Sequence, residues 1–215
     1  MSSCQCQGCE RFFSDKMAQK ELKNYRKKGP GKATQLLIDS LASQDIDGAT
    51  LLDIGGGVGA IQFELMKEGV ANVAGIDGSS GYLGAAQEEA ERLGLLDKTN
   101  YQQGNFVDIA PELEKADIVT LDKVICCFDD MTALVTSSVK LAKKYYAVVF
   151  PINRWWVRLG DIFINTYMQI IKNPYRAFTH LTEDVEKIIF DNGFERLSYQ
   201  RQSIWQVIVY ARQSA

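Results

Sequence analysis

Apolar and polar positions alternate along this chain in two rhythms. Between residues 50 and 151, short apolar runs alternate with segments of helical spacing. The runs are Thr50–Ile54, Asn72–Ile76, Asn100–Gln103, Asp117–Asp122 and Tyr145–Pro151. The helical segments between them are Ala60–Lys67, Gly81–Leu93 and Thr132–Lys143. This alternation predicts parallel strands joined by crossover helices. Upstream, Phe12–Lys28 has helical spacing and stops at Gly29-Pro30-Gly31, and a second helix, Ala33–Ser43, follows. Downstream, Phe194–Gln202 and Trp205–Ala211 are strand-like runs split by a short turn, which predicts an antiparallel hairpin at the sheet edge. Residues 1–10 read as a tail outside the fold.

Residues Ile152–Phe178 break the rhythm. They are rich in aromatic and aliphatic side chains yet carry Arg154, Arg158 and Arg176. One reading is a helix packed on the core. The other is a lid over a ligand, because the segment follows the carboxyl end of a strand, where open α/β sheets bind their ligands.

A chain of 215 residues suits one domain with a full core. Hydrophobic content of 46% and charged content of 24% are ordinary for a globular protein. The formal net charge of −3 argues against nucleic acid as a main partner. No apolar run is long enough to span a bilayer, and the first residues do not form a secretory signal, so a cytoplasmic protein without stable membrane insertion is expected. The five cysteines are Cys4, Cys6, Cys9, Cys126 and Cys127. An odd number with one adjacent pair fits reduced thiols.

The candidate chemistry starts at the end of the first run. Asp53 precedes three glycines at alternate positions, Gly55, Gly57 and Gly59. A strand running into such a turn and then a helix lets backbone approach a nucleotide-like ligand closely. The turn also satisfies the dinucleotide pattern G-x-G-x-x-[G/A], so a nicotinamide oxidoreductase is one reading. Asp53 points elsewhere: it can face an ammonium group but would repel a pyrophosphate. The turn also follows two helices, and the sheet closes in a hairpin. A ligand with an amino-acid end and an adenosine end suits these features. Asp77, at the end of the next strand and before Gly78, has the spacing of an acid that accepts both ribose hydroxyls, though a dinucleotide site would want it too.

These residues resemble the class I S-adenosylmethionine-dependent methyltransferases. LLDIGGGVGA (Leu51–Ala60) resembles that family's first motif and GIDGSSGYL (Gly75–Leu83) its second. QGNFVDI (Gln103–Ile109) resembles the third, ADIVTLDKVI (Ala116–Ile125) the fourth, and the last two strands its terminal hairpin. The resemblance implies an α/β Rossmann-like fold: a mostly parallel seven-stranded sheet, an antiparallel C-terminal hairpin and N-terminal helices, in one methyltransferase domain over 1–215. It implies S-adenosylmethionine as cofactor and S-adenosylhomocysteine as product. The family's third motif usually has an acid that accepts from the adenine amino group. Asn105 stands there, and an amide oxygen can accept the same bond. Phe106 either packs on the adenine or enters the core. Asp122 ends the fourth strand beside the cleft, and Tyr25 is placed over the methionine end.

Methyl transfer from a sulfonium is an in-line displacement, so alignment supplies much of the rate and no universal catalytic residue is expected. A looser resemblance, to magnesium-protoporphyrin O-methyltransferases and related small-molecule enzymes, rests on size, the N-terminal helix and the aromatic–basic insertion. It implies a small, apolar or aromatic acceptor methylated at a carboxylate or hydroxyl oxygen. Arg154 or Arg158 would pair the carboxylate and Trp155 or Trp156 stack on a flat ring; alternatively these arginines are solvated. His180, the only histidine, either accepts a proton at the pocket mouth or sits beside a helix capped by Thr182. Thiolates bind soft metals, so the cysteines keep open an arsenite methyltransferase; C-x-C-x-x-C lacks a fourth zinc partner, and no metal site is expected. A cofactor-binding module without turnover is the remaining alternative.

Overall fold

The computed structural model describes residues 10–213. The expected tail and Cys4, Cys6 and Cys9 lie outside them. Seven strands form one sheet: β1 (Thr50–Ile54), β2 (Asn72–Asp77), β3 (Thr99–Gln103), β4 (Ala116–Asp122), β5 (Ala142–Pro151), β6 (Phe194–Gln202) and β7 (Trp205–Arg212). Their order is β3-β2-β1-β4-β5-β7-β6. The first five run parallel, and β7 is antiparallel to both β5 and β6. This is the expected sheet, with the hairpin at one edge. The chain reverses its direction of travel across the sheet between β1 and β4, and the glycine turn leaves β1 at that crevice, where such folds bind ligands.

The helices are α1 (Asp15–Lys28), α2 (Lys32–Ala42), α3 (Ala60–Lys67), α4 (Ser80–Leu93), α5 (Phe106–Ile109), α6 (Met131–Val139), α7 (Trp155–Ile170) and α8 (Thr182–Asp191). Three expectations need correction. The first helix starts at Asp15, after a break at Phe13-Ser14, because Ser79 Oγ donates to the Phe13 carbonyl and holds the backbone outside helical register. The helix expected to reach Lys143 ends at Val139, since Ala142 pairs with Ala116 of β4 and starts β5; sheet pairing overrides local propensity. Thr182 does not cap α8: Leu181 is the N-cap, and Thr182 Oγ1 instead pairs with the Gln206 amide.

Two-residue periodicity sends β1 side chains to opposite faces. Leu52 and Ile54 pack with Leu134 and Val135 of α6 and Val185 and Ile189 of α8. Leu51 points the other way, into a core with Leu37 and Leu41 of α2 and Ile61 and Leu65 of α3. Asp53 shares the Leu51 face. A third cluster fastens α1 across α3 and α4: Ala18, Leu22 and Tyr25 pack with Phe63, Tyr82 and Ala85. Arg26 adds ion pairs to Glu88 at 2.9 Å and to the buried Glu89 at 2.7 Å. α1 is thereby held over the carboxyl ends of β1 and β2.

Candidate active site

The glycine turn is backbone-determined. Gly55 and Gly59 have φ of +66° and +81°, a region that L side chains rarely adopt. A Cβ at Gly59 would stand 2.5 Å from the Phe63 ring. Gly56 is required by contact: a Cβ there would lie 2.5 Å from both Asp53 Oδ2 and Gln62 Nε2. These two atoms are themselves joined, with Gln62 donating at 2.9 Å, while Thr120 Oγ1 donates to Asp53 Oδ1 at 2.6 Å.

Both Asp53 oxygens are therefore engaged beneath the turn, and Asp53 is not on the wall of the cavity above it. Strand alternation turns its side chain toward α3 and Gln62, whereas the sequence expectation has it facing an ammonium group. Burial raises its carboxyl to about 6, against the opposing hydrogen bonds from Thr120 and Gln62.

Above the turn is an open cavity of about 790 Å³. Gly55, Gly57, Asp77, Gly78, Asn105, Phe106, Asp122 and Tyr25 line it, so most of the expected cofactor residues meet at one place. Asp77 closes β2 and accepts from the Gly57 amide at 3.1 Å and the Ser79 amide at 2.8 Å. Burial lifts its carboxyl to about 6, with those amides pulling the other way. Two accepted bonds leave a carboxylate spare lone pairs. Asn105 stands before α5 and donates from Nδ2 to Asp108 at 3.1 Å. Its Oδ1 is buried with no hydrogen-bond donor among the described residues; burying a polar atom so is costly unless a ligand supplies the donor. Phe106 belongs to the core and also borders the cavity, so both readings of it meet in one ring.

Asp122 is held rather than free. Thr34 Oγ1 of α2 donates to its Oδ2 at 2.6 Å, and Lys123 Nζ lies 3.0 Å from its Oδ1. Lys123 has a φ of +63°, unusual for a side-chain-bearing residue. Tyr25 donates from its hydroxyl to Glu64 at 2.8 Å. Burial, then Glu64, push its phenol well above the ordinary tyrosine range.

The wall opposite the glycine turn comes from the N-terminal segment: Phe13, Glu21, Asn24, Lys28 and Lys32 line it with the intervening Gly29-Pro30-Gly31. In the sequence, that Gly-Pro-Gly reads only as a helix stop. Its signal was there, since a glycine-flanked proline between two amphipathic helices brings backbone close to whatever lies beneath.

The segment expected as a lid does not line the cavity. Arg154, at the N-cap of α7, and Trp155 and Arg158 on the helix stand away from it, and Trp155 is 77% exposed. The reason is attachment: α7 is anchored through Val157 and Met168, which turns its first residues outward. His180 is also off the cavity wall, with Nε2 2.9 Å from the Phe128 carbonyl oxygen. Cys127 borders the cavity; its Sγ lies 4.0 Å from Cys126 Sγ and 3.2 Å from the Tyr175 hydroxyl. Among the described residues, no three His, Cys, Asp or Glu side chains form a metal cluster.

Comparison with known proteins agrees with this geometry. The family model described as "Methyltransferase domain" matches residues 52–147. The ribosomal protein L11 methyltransferase of Enterobacter sp. (strain 638) is 31% identical over 91 residues, which cover 42% of this chain and 30% of that protein. The Escherichia coli (strain SMS-3-5 / SECEC) protein of the same name is 33% identical over 91 residues, again 42% and 30%. The matches thus span about a third of those relatives. Among solved structures, magnesium protoporphyrin IX methyltransferase from Synechocystis PCC 6803 with bound S-adenosylhomocysteine superposes with a TM-score of 0.71 at 19% identity, covering 95% of this chain and 98% of that one. An O-methyltransferase family protein from Burkholderia thailandensis gives 0.70 at 16%, covering 95% and 62%. Motif, sheet order and cavity converge: residues 52–147 match the methyltransferase-domain model, on a fold similar to that of solved methyltransferases, one of them holding S-adenosylhomocysteine.

Proposed function

We propose that this protein methylates a small aromatic acceptor at a carboxylate or hydroxyl oxygen, using S-adenosylmethionine. The observation that carries the reading is the meeting, around one cavity, of the glycine turn, Asp77 and the partnerless Asn105 Oδ1. In this reading Asp77 accepts the ribose hydroxyls with its spare lone pairs. Asn105 Oδ1 accepts the adenine amino group, which supplies the missing donor, and Phe106 packs against the adenine face. Gly55–Gly59 let backbone come within contact of the cofactor, and Tyr25 closes its methionine end.

S-adenosylmethionine supplies an electrophilic methyl group on a sulfonium leaving group. The protein's part is alignment and exclusion of water. Phe13 and Phe128 offer apolar faces to a ring, and Lys28 and Lys32 stand on the same wall with ammonium groups for an acid. The anionic anchor expected from Arg154 and Arg158 thus passes to these lysines. A carboxylate acceptor is already ionised at neutral pH and needs no general base, consistent with His180 lying off the cavity.

Isothermal titration with S-adenosylhomocysteine tests the cofactor half. Wild type should bind and Asp77→Ala should bind far more weakly; no heat at millimolar ligand would sink the proposal. Radiolabelled methyl transfer to a panel of aromatic acids and phenols tests the acceptor half. Lys28→Ala/Lys32→Ala should raise KM for acids while leaving cofactor affinity in place. Turnover confined to amines would overturn the oxygen assignment.

A further inference from the structure

Helix α7 touches the rest of the molecule along one narrow stripe. Val157 and Met168 are its buried residues, and Asn165 clasps the Ala177 backbone through both amide atoms, at 2.9 and 2.8 Å. At about 100° per residue these positions fall on one side of the helix. The opposite side carries Trp155, Leu159, Ile162, Phe163, Tyr167 and Ile170, all exposed. Phe163 is 68% and Ile170 73% accessible. Trp156 falls within the same arc, and Thr166 is the one polar residue there. A water-facing helix ordinarily turns polar residues outward; α7 does the reverse. A contiguous apolar patch of this kind marks an interaction surface.

Charge identifies the surface it fits. Residues 152–178 contain four basic side chains (Arg154, Arg158, Lys172, Arg176) and one acid, Asp161, in a chain of formal net charge −3. Asp161 accepts from Thr179 Oγ1. The segment is therefore locally cationic. Arg154 and Arg158 flank the start of the apolar arc and Lys172 follows its end. A second copy of the chain is a poorer occupant. Packed parallel or antiparallel on its twin, α7 would bring cations against cations at its ends. The helix is also too short to cross a bilayer: its 16 residues extend roughly 24 Å, and no described helix is long and apolar enough to span. A convex apolar arc, tryptophans at one end and cations at both ends match the boundary between headgroups and acyl chains.

We infer that α7 docks the protein flat on an anionic phospholipid surface, with Trp155 to Ile170 between the headgroups and Arg154, Arg158 and Lys172 on lipid phosphates. The full chain is sedimented with phosphatidylcholine vesicles with and without phosphatidylglycerol. Binding to the anionic vesicles should exceed binding to neutral ones about tenfold or more and fall as salt rises. Tryptophan emission should shift to the blue, and Trp155→Phe/Trp156→Phe should remove the shift, leaving Trp205 unmoved. Ile162→Glu/Ile170→Glu changes two exposed positions, so circular dichroism should match wild type while vesicle binding falls about tenfold or more. Absence of binding, or equal binding to both vesicles, overturns the proposal. So does a dimer in ultracentrifugation that Ile162→Glu/Ile170→Glu dissolves while vesicles stay unbound, which would assign the face to a second copy.

Discussion

Gln62 Nε2 donates to Asp53 Oδ2 at 2.9 Å across the glycine turn that separates the two residues in sequence. The bond closes the turn from beneath, and Gly56 rests on it with no room for a side chain. Gly56→Ala should therefore push the pair apart. The cost of overpacking here is about 1–3 kcal/mol, read as a lower midpoint in urea, and S-adenosylhomocysteine affinity should fall with it.

The buried Asp53 makes stability depend on pH. Its folded carboxyl is raised to about 6 from the ordinary 3.8, so the folded state binds more protons than the unfolded state between those values. Stability from this group is fully present below the unfolded value and is lost as pH rises through about 6. The loss is roughly 3 kcal/mol or less between pH 4 and pH 7. Asp77, raised to a similar value, acts in the same direction. Asp53→Asn keeps an acceptor for Gln62 and removes the titration. Urea unfolding at pH 4.5 and pH 7 should show wild type losing stability over this interval and Asp53→Asn losing less.

Cofactor affinity should separate Asp77 from Asn105. Asp77→Ala removes the proposed ribose acceptor and the partner of two backbone amides, with an expected loss of about 100-fold, typical of charged hydrogen bonds. Asn105→Ala removes one neutral acceptor and should cost about tenfold or less. Asn105→Asp restores an acceptor at that position and should bind near the wild-type level. Titration calorimetry of the three variants decides it; equal losses would refute the assignment.

Lys123 combines strain with an ion pair. Its backbone sits at a φ of +63°, while its Nζ contacts Asp122 and Thr34. Lys123→Ala loses the pair and keeps the strain; Lys123→Gly loses the pair and relieves it. Lys123→Gly should be the more stable of the two by about 1 kcal/mol, measured as a difference in thermal or urea midpoints.

Attachment of α1 should matter to the site as well as to the fold. Leu22 is wholly buried between α1 and its neighbours. Leu22→Ala should cost about 2–5 kcal/mol and, by loosening the wall that carries Tyr25 and Lys28, weaken cofactor binding. Arg158→Ala, on the exposed α7, should leave that affinity unchanged in the same titration.

Much of this was legible in the residues. The strand–helix rhythm after Thr50 predicted the seven strands, because hydrophobic periodicity reports local backbone directly. The positions of Gly55, Gly57, Asp77, Asn105 and Asp122 at strand ends followed from the same rhythm, since parallel strands deliver their carboxyl ends to one edge. The structure departs from the residue pattern where a side chain's direction or a helix's attachment matters. Asp53 lies at the right place in sequence, yet strand alternation turns it under the loop to Gln62. Ile152–Phe178 has the composition of a lid, yet Val157 and Met168 fasten it with its apolar arc outward.

The amino-acid order by itself determined the sheet, its hairpin and the glycine cradle, all of which arise from local periodicity and from backbone angles only glycine tolerates. Which element faces the cradle was decided by packing between segments distant in sequence: Leu22 and Tyr25 against Phe63 and Tyr82, and Arg26 on Glu88 and Glu89. Those contacts are set by shape and charge complementarity across the folded chain, which no local pattern records. They make the N-terminal helix the second wall of the site and leave α7 to face outward.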